Sequence, residues 1–136
     1  MDLAQQECVP CQGGVPPLSP QEAQQLAQEI PQWTLKDKSM LDSQVWRFRA
    51  GSAPEVRAGA RHLAARLRAA IEREFKFQDF RAAIGFVNKV AEVAEAEDHH
   101  PDIHISWNRV TLSLTTHTIK GLSENDFIPA AKIDRL

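Results

Sequence analysis

Apolar side chains recur along this 136-residue chain at two periods. The helical period shows first at Ala23, Leu26, Ala27 and Ile30, which share one face of a helix predicted over about 20–30 and stopped by Pro31. Val56, Ala60, Leu63, Leu67 and Ile71 then step by 4, 3, 4 and 4 residues, predicting a helix over about 53–70. Its polar side carries Arg57, Arg61, Arg66 and Arg68. Phe80, Ile84, Val87, Ala91 and Ala94 stripe a third helix over about 80–98, with Asp79 as N-cap and Pro101 beyond its end. Phe86, Val90 and Val93 widen that stripe, which suits a central core helix. A last helix fits about 124–134. Ser19-x2-Glu22, Ser52-x2-Glu55 and Ser123-x2-Asp126 each match the capping box that opens a helix, in which serine and carboxylate satisfy free backbone N–H groups.

The two-residue period lies between these helices. Ile103, Ile105 and Trp107 alternate with His104 and Ser106, and Val110, Leu112 and Leu114 alternate with Thr111, Ser113 and Thr115. Asn108-Arg109 between them predicts a hairpin with a short turn. Weaker strand patterns lie at Trp33–Lys36, Val45–Phe48 and Glu74–Phe77. The expected class is α+β: one antiparallel sheet with helices packed on one face. Residues 1–18, with Pro10, Gly13, Gly14, Pro16 and Pro17, read as an irregular tail before a single domain over 19–136.

Composition narrows the function classes. With 43% apolar and 25% charged residues the chain matches an ordinary globular domain. No apolar run approaches the ~20 residues that cross a bilayer. The polar N-terminus lacks the pattern of an export signal, so a cytoplasmic location and no membrane partner are expected. A net charge of −2 argues against nucleic acid as a partner. The charge is uneven, however. Seven arginines against Glu55 and Glu72 make residues 44–73 net +5, leaving −7 for the rest. This Arg-rich stretch, 47–73 at its core, is either a solvated face or a docking surface for an acidic protein partner. Phosphate-cradling glycine loops, dinucleotide fingerprints and nucleophile elbows are absent.

Histidine is the remaining chemistry, with His99, His100, His104 and His117 inside 19 residues. Glu95 and His99 stand four apart at a helix end and share a face. Free carbonyls at a helix C-terminus, together with Glu95 and Asp98, favour imidazolium, as a general acid requires. His117, just past the second hairpin strand, is placed to face the pair across a cleft. Each residue also has a plainer reading. Asp126 alone is a helix cap, Glu95 a solvated residue, Trp107 a core residue, and His104 and His62 exposed. His99, His100, His104, His117 and Asp102 could form a zinc cluster, but their spacing is not H-E-x-x-H and no cysteine accompanies them. Cys8-x2-Cys11 is half a zinc site without a second half, read as a flexible reduced tail.

The stretch Glu95-x3-His99-His100-Pro101-x5-Trp107-x9-His117-x8-Asp126 resembles the active-site pattern of the pterin-4a-carbinolamine dehydratases. Phe75-Lys-Phe-Gln-Asp-Phe80, Thr115-Thr-His117, Gly121-Leu-Ser123 and Asn125-Asp-Phe-Ile128 support it, over 19–37 and 71–136. Cys8-x2-Cys11 resembles bacterial members. The resemblance implies dehydration of 4a-hydroxytetrahydrobiopterin to quinonoid dihydropterin, in tetrahydrobiopterin recycling after an aromatic amino acid hydroxylase. It implies catalytic roles for His99, His100, His117 and Asp126, and substrate contacts for Glu95, Pro101 and Trp107. No cofactor or metal is expected, the pterin being substrate, and a homodimer or homotetramer is. Residues 38–70 exceed the family's usual short hairpin and read as an insertion. Dehydratase-like relatives that assist RuBisCO assembly or bind transcription factors give the alternative, a non-catalytic assembly factor or protein-binding scaffold.

Overall fold

The computed structural model describes residues 2–9, 16–37, 69–119 and 121–136. Four strands, β1 (Thr34–Asp37), β2 (Ala69–Lys76), β3 (Asp102–Ser106) and β4 (Arg109–Leu114), form one antiparallel sheet in the order β1-β2-β4-β3. Three helices accompany it, α1 (Pro20–Ala27), α2 (Phe80–Glu97) and α3 (Glu124–Ile133). The class is α+β, as expected.

Register explains which sheet face is covered. Leu35 opposes Ile71, Ile71 opposes Leu114, Phe75 opposes Val110, and Ile105 opposes Val110. Directly opposed residues share a face, so these side chains make one apolar surface. Ile71, Val110, Leu112 and Leu114 are fully buried there with Phe86 and Val90 of α2 and Phe127 and Ile133 of α3. The rings of Phe75 and Phe77 lie 4.7 and 4.9 Å from that of Phe86, within the range of favourable aromatic pairs. The other face carries Lys36, Glu72, Glu74, Arg109, Thr111 and His104, the alternation of a one-sided sheet.

Several expected boundaries and faces shift. Ala69–Ile71 are strand, not the last turn of a helix over 53–70. Ile71 is paired on both sides, and that tertiary pairing overrides its helical spacing from Leu67. The rest of that helix, the Arg-rich face, His62 and the Val45–Phe48 strand lie outside the described residues. The hairpin turn is Trp107-Asn108, one residue earlier than expected. Trp107 adopts φ 50° there and is 67% exposed, so it is not a core residue. In α2 the buried residues are Ala83, Phe86, Val90 and Ala94, of which Phe86, Val90 and Ala94 belong to the expected broad face, so its centre moves toward the Phe86–Val90 side. Phe80, counted in that stripe, is exposed.

Residues 2–9 are not a loose tail. Leu3 is buried in the main core within a single 3₁₀ turn. Further on, Leu18 N–H donates to Leu122 O at 2.8 Å. Pro17 packs against Gly121, where any Cβ would come within 2.7 Å of the proline ring. The polar residues around Leu3 hide its role from any periodicity. The Ser19–Glu22 capping box forms as expected, with Ser19 N–H donating to Glu22 Oε2 at 2.8 Å and Glu22 N–H to Ser19 Oγ at 3.3 Å.

Candidate active site

The sheet register decides where the histidines fall. Asp102 opposes Ser113, while Ser106 opposes Arg109. The chain entering β3 from His99-His100-Pro101 and the chain leaving β4 toward His117 therefore lie at the same end of the sheet. Trp107 lies at the opposite end, one five-residue strand or roughly 17 Å away. The structure does not bring Trp107 to the histidines, because the turn it occupies is the far corner of the hairpin.

The end of α2 aims the adjacent pair. Asp98 takes the left-handed conformation at φ 49°. Asp98 N–H donates to Glu95 O and His99 N–H to Ala94 O, a Schellman closure with aspartate where glycine is usual. That turn undoes the expected facing of Glu95 and His99. His100 Nε2 meets Glu95 Oε1 at 2.8 Å instead, with both side chains more than half exposed. A contact so open to water contributes little to stability. Pro101, partly buried, follows and leads into β3.

His99 turns the other way. Its Nε2 lies 2.6 Å from Asp126 Oδ1, with the ring 11% exposed and the carboxylate fully buried. Asp126 stands in the first turn of α3. Its Oδ2 accepts from Ser123 N–H at 2.8 Å, which caps the helix, and from Thr116 Oγ1 at 2.9 Å. One carboxylate thus fills both readings the sequence left open, cap on one oxygen and histidine partner on the other. It also joins three segments: the end of α2, the exit of β4 and the start of α3. Both carboxylate oxygens accept, so His99 Nε2 is the donor to Asp126 and Nδ1 is the ring nitrogen the carboxylate leaves unengaged.

His117 follows Thr116 directly and begins a 3₁₀ turn, His117–Ile119. Its side chain is exposed and makes no hydrogen bond among the described residues. Thr116, held to Asp126, fixes where His117 leaves the sheet. His104 is an exposed strand residue, as expected. Among the described residues there is no group of three or more His, Cys, Asp or Glu side chains that could hold a metal ion. Likewise among the described residues, no helix is long and apolar enough to cross a membrane. The Ser123 N–H contact to Asp126 is the one the capping-box spacing predicts. Sequence reasoning missed Thr116 as a partner of Asp126, since nothing local signals that contact across 10 residues.

The family model described as pterin 4 alpha carbinolamine dehydratase matches residues 61–136. A protein of Rubrobacter xylanophilus with the provisional name pterin-4-alpha-carbinolamine dehydratase is 41% identical over 135 residues, covering 99% of this chain and 98% of that protein. This chain belongs to the pterin-4a-carbinolamine dehydratase family. A Halorhodospira halophila protein of the same provisional name is 40% identical, covering 100% of this chain and 98% of its own. Residues 38–70 therefore lie inside the span aligned with these family members. The crystal structure of a transcriptional coactivator/pterin dehydratase from Brucella melitensis superposes with a TM-score of 0.59 at 28% identity, covering 88% of this chain and 96% of that one.

Proposed function

We propose that this protein removes water from a 4a-hydroxytetrahydropterin, giving the quinonoid dihydropterin for tetrahydrobiopterin recycling. The observation that supports the reading is the His99–Asp126–Thr116 chain at the sheet end from which His117 also leaves. The reaction breaks the C4a–O bond and the N5–H bond and forms C4a=N5. One group must protonate the departing hydroxyl and another must take the N5 proton. His99 and His117 are the pair assigned these transfers, with the free Nδ1 of His99 as its exchanging atom. Asp126 holds the His99 ring in one tautomer and orientation, the role a buried carboxylate plays beside a catalytic imidazole. His100, steadied by Glu95, and Pro101 border the pterin. Neither proton transfer calls for a metal or a redox cofactor.

The test is a stopped-flow dehydratase assay on the purified chain. His99→Ala and His117→Ala each lower turnover by roughly 10²–10⁴-fold while the circular dichroism spectrum is retained. Absence of turnover in the unsubstituted protein overturns the reading and favours the assembly-factor alternative, which needs the fold and no proton transfer. The coactivator half of the Brucella protein's name keeps that second reading in view.

A further inference from the structure

Three hydrogen bonds tie the start of α3 to the far end of the chain. Pro129 sits inside α3 and has no N–H, so the carbonyl four residues back, that of Asn125, loses its helical donor. Cys8 Sγ donates to that carbonyl at 3.6 Å. The Asn125 side chain in turn pairs with the backbone of Val9, accepting from its N–H at 3.0 Å and donating to its carbonyl at 2.6 Å. Cys8 N–H donates to Glu97 Oε2 at 2.9 Å, and Glu97 is the last residue of α2. The other Glu97 oxygen is held by Lys132 of α3. Farther along the strap, Leu3 is buried and Asp2 pairs with Arg135 at 2.6 Å.

Residues 8 and 9 thus grip the two segments that supply the halves of the histidine–carboxylate pair. Glu97 lies two residues before His99, and Asn125 lies one residue before Asp126. We propose that the N-terminal strap, through Val9 and Asn125, is a positioning element for the His99–Asp126 pair. It locks the end of α2 against the start of α3 so that the 2.6 Å contact is held before substrate arrives. A bond that short between a ring N–H and a carboxylate depends on the relative placement of both segments, and movement of either lengthens and weakens it. Asn125 touches no reacting group in this scheme; it acts through its neighbour. The proposal rests on the dehydratase reading for its kinetic consequence only.

The experiment reads two quantities in the full chain. One is the low-field proton resonance of His99 Nε2–H, assigned by its loss in His99→Ala. The other is the split of kcat against KM in the dehydratase assay. In Asn125→Ala the resonance moves or broadens, kcat falls between about tenfold and a hundredfold, and KM stays within about twofold. Should Asn125→Ala fail to fold, Val9→Pro removes one strap donor while leaving α3 untouched, and the same two readings apply. An unchanged resonance and unchanged kcat in the folded variant overturn the strap and leave the dehydratase reading standing. A displaced resonance in a protein with no turnover overturns the dehydratase reading and upholds the strap.

Discussion

At the scale of single residues, the acidic and sulfur groups under the strap show what burial does to charge. Burial pushes the Cys8 thiol up, with help from the nearby Glu97 carboxylate, to about 12. It therefore stays protonated at neutral pH and serves as the S–H donor that Asn125 O receives. Burial also pushes the Glu97 carboxyl up, but the Lys132 ammonium and the Cys8 N–H outweigh it, leaving Glu97 below its ordinary value of 4.5. The unfolded chain then takes up this proton first as pH falls. The stabilisation from Glu97 is complete above its ordinary value and is lost on acidification through the folded one. Melting temperatures measured between about pH 6 and pH 3 should fall less steeply in Glu97→Gln than in the unsubstituted protein. An equal slope in both would remove Glu97 from the acid response.

At the scale of elements, the long helices and the hairpin were legible because each has a local signature: capping boxes at Ser19 and Ser123, Asp79 before α2, and alternation through 102–114. What stayed hidden depends on partners distant in sequence. Ile71 reads as helix by spacing, yet it lies between Leu35 and Leu114, respectively 36 and 43 residues away. Truncating it removes buried methyl groups from a paired position, so Ile71→Ala should cost about 2–5 kcal/mol in urea unfolding. A loss of a few tenths would mean that β2 is not an interior strand paired on both sides. The candidate site divides the same way. His99, His100, His117 and Asp126 stand out by residue type and spacing, and the sheet register sets the two chain ends that carry them together. The partner exchange, Glu95 to His100 and Asp126 to His99, follows from one left-handed residue at Asp98 that no periodicity announces. The packing of Leu3 and the strap was equally invisible, because a single apolar residue among polar ones has no period.

At the scale of the whole molecule, the sheet of the described residues is bounded by β1 and β3. The expectation of a homo-oligomer rests on the family resemblance. Light scattering at micromolar concentration should return a mass that is a multiple of one chain; a single-chain mass would refute it. The alignments with family members run through residues 38–70, so the Arg-rich helix expected there belongs to the span shared with relatives. Asp126 divides its labour, one oxygen for architecture and one for a ring. Replacing the ring would leave the cap on Ser123 and the bond from Thr116 in place, whereas replacing the carboxylate removes the anchor of three segments at once.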